Sequence, residues 1–221
     1  GRHFSSNGIS GNDYSSFSEN SLGLFGKRFL KEFTLMGKLD YNRSVNHYYG
    51  FPAEVSPVID NPDDIRQDLD KFGTQFSLTR NFTDTSQFDY NFDIGYYYLS
   101  DIHSAKESHF ELEGKLSKYH KRELYNIGAV VNYNKLDNLL NQDNNLVVGL
   151  TPHISTNADK WQFKVGIGLF LNSFPENKFH FYPQAEFKYN VVDDIIIPYV
   201  GITGGIKSNN LDGFYRENPF I

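Results

Sequence analysis

Histidines, clustered acids and serines beside histidine are the residues of this 221-residue chain with the functional groups for metal binding or acid, base and nucleophilic chemistry. The densest acidic run is Asp60, Asn61, Pro62, Asp63 and Asp64, followed by Asp68 and Asp70. Oxygen-rich loops of this kind hold Ca²⁺ when their spacing matches a coordination shell, and this spacing does not match an EF-hand. Asn or Asp before proline and then two acids is also how a short helix begins, with a cap, proline at the first position and carboxylates against the dipole. A capped or solvated loop is therefore the expectation. Seven histidines are present, including His103, His109, His120, His153 and His180, and none stands at the H-x-x-x-H or H-E-x-x-H spacing of a metal site. His103, Ser104 and Ser108 bring serine and histidine together, the residue types of a hydrolase site. No G-x-S-x-G elbow accompanies them, and short polar segments collect such residues by composition. Gly201 to Gly205 lacks the lysine and following helix of a phosphate loop. The expectation is no enzyme, with no catalytic, cofactor-binding or metal-ligating residues assigned and no cofactor.

Composition narrows the class further. A net charge of −6 and a pI near 5.6 remove the diffuse attraction that nucleic-acid binding requires, so no nucleic-acid partner is expected. The chain has no cysteine, which excludes disulfides and thiolate metal sites. Apolar residues make up 39% with a mean hydropathy of −0.51, and no run approaches the roughly 18 to 20 residues of a membrane-spanning helix. Yet 20 Phe and 15 Tyr bring aromatics to 16%, far above what a disordered polar chain carries. Something must shelter those rings.

The elements that carry these residues are legible from a period of two. Phe88, Tyr90, Phe92, Ile94, Tyr96 and Tyr98 alternate with Asp89, Asn91, Asp93, Gly95, Tyr97 and Leu99, which is a strand with two different faces. The pattern recurs at Phe33 to Tyr41, Phe72 to Leu78, Phe110 to Leu116, Tyr125 to Tyr133, Leu146 to Ile154, Trp161 to Leu171 and Phe181 to Tyr189. A glycine-rich segment from Ser16 to Lys27 and the apolar stretch Ile195 to Ile206 complete about ten strands of roughly 12 to 17 residues, where soluble strands run about 5 to 6. Pro198 donates no ladder hydrogen bond and marks a strand end, a bulge or an unpaired position.

Short polar connections are expected near Lys27 to Lys31, Asn81 to Ser86, Lys118 to Arg122, Thr156 to Lys160 and Asn190 to Asp194. Longer ones are expected at Asn46 to Asp64, Asp101 to Lys106, Lys135 to Asn145, Asn172 to Asn177 and beyond Lys207. Short turns on one rim and long loops on the other are the layout of an all-β, antiparallel transmembrane β-barrel, with the short set in the periplasm. A sheet crosses lipid only when every backbone group is paired, so the aromatic column would face acyl chains and the polar column a hydrated lumen. Tyr41, Phe82, Tyr98, Tyr133 and Tyr189 are the expected interfacial rings. A soluble barrel or sandwich with the same alternation inverted is the alternative. With the short turns periplasmic, both ends of the chain would lie outside, so residues 1–221 are expected to be one segment of a larger barrel. Asn209 to Ile221 then reads as a loop leading into a further strand, and the Gly, Ser and Asn between Gly1 and Ser21 as a mobile loop.

The hairpins, the closing stretch Ile195-Ile196-Ile197-Pro198-Tyr199-Val200-Gly201-Ile202-Thr203-Gly204-Gly205-Ile206 and the run Arg216-Glu217-Asn218-Pro219-Phe220-Ile221 resemble the outer-membrane β-barrels of Bacteroidetes grouped with TonB-dependent receptors. That resemblance implies a barrel of up to about 22 strands in the bacterial outer membrane, an N-terminal plug and uptake energised from the inner membrane. No plug domain and no TonB box is present in these residues. The expected function is passage of a solute or peptide through a polar lumen, with outer-membrane lipid as the surrounding partner and the solute unnamed. The alternative is a plug-less structural or docking barrel that contacts other outer-membrane or periplasmic proteins.

Overall fold

A computed structural model of the chain describes residues 1–7, 15–47, 65–81, 86–137, 142–192 and 195–218. Its strands are β1 (Arg2–Ser6), β2 (Phe17–Phe29), β3 (Phe33–His47), β4 (Arg66–Arg80), β5 (Asp89–Asp101), β6 (Lys106–His120), β7 (Glu123–Asp137), β8 (Gln142–Asn157), β9 (Trp161–Asn172), β10 (Lys178–Tyr189) and β11 (Tyr199–Ile202), followed by one helix, α1 (Leu211–Glu217). All eleven strands form a single antiparallel sheet in chain order, each hydrogen-bonded to its sequence neighbours. Strands β2 to β10 run 12 to 16 residues. Among the described residues the sheet is open, because β1 pairs with β2 alone and β11 with β10 alone.

Register fixes the two faces, since directly paired residues point to the same side. One continuous row is Gly37, Phe76, Ile94, Leu112, Val131, Val148, Leu171 and Phe179. Another is Leu35, Leu78, Phe92, Gly114, Ala129, Leu150, Leu169 and Phe181. Both rows belong to the face on which large side chains are exposed, among them Phe76, Phe92, Ile94, Leu150, Leu171 and Phe181. On the opposite face the buried residues are largely polar: Gln67, Ser77, Glu107, His109, Ser117 and Asn126. The apolar column that a soluble sandwich would hide is therefore outside.

The exposed area is that of a single sheet with no second layer packed on it. The chain presents 15084 Å² to solvent, against about 10,400 Å² for a compact soluble chain of 25.5 kDa.

Several segments differ from what periodicity suggests. Asp101 to Lys106 is a tight turn rather than a long loop: Asp101 N donates to Ala105 O at 3.0 Å and Ala105 N to Asp101 Oδ1 at 2.7 Å, with Ser104 at φ 73°. Strands β7 and β8 extend to Asp137 and from Gln142, because Asn134, Asn144 and Asn145 continue the ladder where apolar alternation has stopped. Arg2–Ser6 is a strand paired with β2, not loop, although residues 8–14 of that segment lie outside the described residues. The stretch from Ile195 keeps only Tyr199–Ile202 as a strand, and Pro198 stands directly before it, with its carbonyl accepting from Tyr189 N at 3.1 Å.

The tail is the largest departure. Leu211–Glu217 is a helix rather than a loop entering a strand. Asn210 caps it, its Oδ1 accepting from Gly213 N at 2.8 Å, with Asp212 in the first turn and Arg216 in the last, each charge on the end the dipole favours.

Candidate functional site

The polar face concentrates its charge on β3 to β7. Three rows run across those strands: Asp40, Gly73, Tyr97, His109 and Asn134; then Lys38, Gln75, Gly95, Glu111 and Asn132; then Met36, Ser77, Asp93, Glu113 and Val130. The row above them is Asn42, Lys71, Leu99, Glu107 and Leu136. Gly73 and Gly95 stand on adjacent strands; Gly95 leaves the wall low beside Glu111, while the Asp40 side chain lies over Gly73. A Cβ on Gly73 would lie 2.8 Å from Asp40 Oδ2, so a side chain there would crowd that carboxylate.

Helix α1 docks on this face. Tyr215 packs on Leu69 and Leu99, with Tyr97 and Leu211 beside them, which is the one cluster of buried apolar residues among the described residues. Its hydroxyl donates to Asp101 Oδ2 at 2.9 Å and accepts from Gln67 Nε2 at 3.0 Å. Glu107, fully buried, accepts from Asp212 N at 3.0 Å and from the Tyr97 hydroxyl at 3.2 Å. Asp212 in turn pairs with Lys71 at 2.7 Å and with Arg216 at 2.9 Å. Lys71 Nζ also sits 4.1 Å over the Tyr97 ring, and that ring stacks on His109 at 4.9 Å. Charge-assisted contacts of this kind are individually modest where water reaches them, and the buried ones are costly to break singly.

Two cavities flank the helix. One, of about 560 Å³, lies between α1 and the inner face of β1 to β4 and is lined by Arg2, Glu19, Asn42, Lys71, Asp212 and Tyr215 among others. The other, of about 810 Å³, lies beneath the C-terminal segment, between it and the three charged rows. Residues 206–216 line the same cavities as β1 and β3 to β7, so the chain after β11 crosses back over a concave sheet.

The residues singled out by motif do not converge here. His103 and Ser104 lie in the turn 102–105, while Ser108 pairs with Tyr98 on the outward face. His120 ends β6 beside Lys121, which takes φ 57° in the turn. His153 and His180 are inward on β8 and β10, away from α1. Asp60 to Asp64 lie outside the described residues. Asp68 and Asp70 sit in β4 on the outward face near its end. There Asp68 pairs with Arg43 at 2.9 Å and Arg66 at 2.6 Å, and Asp70 accepts from the Tyr41 hydroxyl. Ser16 Oγ approaches His47 Nδ1 at 3.2 Å, a serine–histidine pair that motif reasoning did not find. The same Nδ1 lies 2.9 Å from Ser16 O, which only accepts, so this nitrogen carries the proton and is no base toward the hydroxyl.

Sequence reasoning missed α1, Glu107, Tyr215 and Gln67. The available signal was Asn210-Leu211-Asp212-Gly213, a cap followed by an acid, with Leu211 and Tyr215 four residues apart on one helical face. No family model, curated protein or solved structure matches the chain.

Proposed function

We propose that this chain forms the wall of a bacterial outer-membrane β-barrel, the barrel part of a TonB-dependent-receptor-like transporter, and passes a small solute or peptide along its polar face. The observation that carries the reading is the two-sidedness of the sheet: along the central residues of β3 to β10, strands of 12 to 16 residues, one face exposes an aromatic and aliphatic column and the other holds most of the carboxylates, amides and lysines, while Asp68 and Asp70 near one end of β4 lie on the apolar face and Phe25 and Phe29 of β2 on the polar one. Ring spacing supports it. Tyr90 and Tyr98 on β5, and Tyr125 and Tyr133 on β7, each stand eight positions apart on the outward face. That is about 27 Å along a strand and about 20 Å of depth at a tilt of about 40°, close to the roughly 25 Å apolar band of such barrels. Between those rings lie Phe92, Ile94 and Tyr96 on β5 and Ile127, Ala129 and Val131 on β7, with no charge among them.

The second reading, a structural or docking barrel, is favoured by one feature: α1 and its tether occupy the polar face, as a permanent filling would. A planar-bilayer recording of the purified, detergent-extracted chain separates the two. Ionic conductance, with co-flotation of the protein with lipid vesicles, supports passage. Insertion without conductance supports the docking barrel, and failure to insert overturns both.

A further inference from the structure

The larger cavity has a polarity that its surroundings do not neutralise. Its sheet wall carries Asp93 and Glu113, directly paired across β5 and β6, with Glu111 one row above. Like charges set opposite each other on one face of a sheet repel. Among the described residues no cation lies within ion-pair distance of any of the three, whereas Lys38 pairs with Asp40, and Lys71 and Arg216 share Asp212. Asp93 is held in place by Ser77 and by Asn91 Nδ2 at 2.6 Å. The opposite side of the cavity is the C-terminal segment, which brings Lys207 and Arg216. Acids and bases thus face each other across open space of about 810 Å³, within the range of a small-molecule site. A second, independent feature points the same way. His109 lines the cavity, is more than nine-tenths buried against Tyr97, and its Nδ1 has no hydrogen-bond partner.

We propose that this cavity binds a small zwitterion, an amino acid or a short peptide, with its ammonium group among Asp93, Glu111 and Glu113 and its carboxylate toward Lys207 and Arg216. The proposal rests on the reading of the polar face as a solute path and names the class of solute. An ammonium between the paired carboxylates removes their repulsion. A carboxylate at the other end answers two cations, of which Lys207 makes no ion pair among the described residues. Gly95, whose missing side chain would meet only Glu111 Cβ at 3.9 Å, leaves the wall low beside Glu111 for a backbone to lie between the two charged ends.

Calorimetry on the full chain in detergent tests this with four probes: alanine, dialanine, N-acetyl-dialanine and dialanine amide. The expected result is saturable binding of alanine or dialanine, at least tenfold weaker binding of both blocked peptides, and a loss of at least tenfold in an E111Q/E113Q double variant that keeps its β-sheet circular dichroism. Tighter binding of dialanine assigns the site to peptides, and tighter binding of alanine assigns it to free amino acids. Equal binding of blocked and unblocked peptides, or no binding by the unmodified chain, overturns the proposal, and the analogue series decides even if the double variant misfolds. Bilayer conductance is read on the same preparation. Conductance without binding removes the zwitterion site and leaves the passage reading, whereas binding without conductance does the reverse.

Discussion

The wall built by β4, β5 and β6 and the edge built by β10 and β11 belong to one sheet and share one alternation, yet only the first has its polar face covered. Under α1 lie Gln67, Leu69, Leu99 and Glu107, all buried, and each polar one among them is tied to the helix or to a group that touches it. At the edge, all four residues of β11 are exposed, Tyr199 at 77%, and the ion pair Lys188 to Glu186 at 2.6 Å joins neighbours on one strand with both side chains in water. The difference shows where this chain places its order. A long strand in a single-layer sheet, with an exposed apolar face and a polar opposite face, has little to bury within itself. The covered wall acquires a small core only because the chain returns to it, and the edge strand, without a second neighbour, stays short.

The largest effect that would break the comparison lies on the outer side of the covered wall. Ile94→Arg puts a charge midway along β5 in the apolar row between Phe76 and Leu112. If that row faces lipid, folding into vesicles loses roughly 2–4 kcal/mol, the cost of a cation near the bilayer midplane. Gln75→Arg, one register step away on the polar face, should change the urea midpoint of vesicle folding little. Equal midpoints for the two variants would remove the distinction between the faces.

Next comes the contact that attaches α1. Glu107→Leu leaves the Tyr97 hydroxyl and the Asp212 amide without their acceptor, a loss of about 1–3 kcal/mol. Proteolysis follows the population of the open form when reclosing is fast. Trypsin cleavage after Lys207 and Arg216 should accelerate about tenfold, with cleavage after Lys188 at the bare edge unchanged. Equal acceleration at all three sites would mean that the covered wall is not a separate unit.

How much of this was legible in the sequence follows from the same contrast. Strict alternation at Phe92, Ile94 and Tyr96 located β5 and its faces, because period two has one structural meaning when it persists over many residues. It failed at Asn144 and Asn145 of β8 and at Arg2–Ser6, where the ladder is held by backbone pairing and the side chains carry no alternating signal. The turn at 102–105 leaves no mark in the sequence pattern, because its closure depends on Asp101 Oδ1 and on one residue at positive φ, and neither shows in hydropathy. The site was the least legible part. Glu107 and Tyr215 are 108 positions apart and meet only through α1, and a seven-residue helix leaves too short a period to stand out beside nine long strands.

Tyr215→Phe sharpens the comparison by removing a single oxygen. The ring keeps its packing on Leu69 and Leu99, so the apolar part of the dock survives, while the bonds to Asp101 and from Gln67 are lost. Gln67, 1% exposed, then keeps only its longer contact to Asp101 at 3.4 Å. The bond to the Asp101 carboxylate is charge-assisted but only part-buried, so the freed carboxylate recovers water and the net loss is about 1 kcal/mol; cleavage after Arg216 should rise about fivefold, less than for Glu107→Leu. A rise equal to that of Glu107→Leu would assign the dock to the hydroxyl network rather than to the Asp212 end of the helix.

The smallest effect belongs to the edge. Val200→Lys on β11 adds a charge to a residue that is 68% exposed and pairs only with Phe187. Surface changes away from buried features stay within about 0.5 kcal/mol. In detergent the urea midpoint should therefore not move. In lipid the outcome turns on whether β11 meets acyl chains or a further strand: a drop in vesicle folding comparable to that of Ile94→Arg places Val200 in the apolar band, and an unchanged yield places β11 outside it. That single substitution therefore reports whether the bare edge belongs to the same wall as β5.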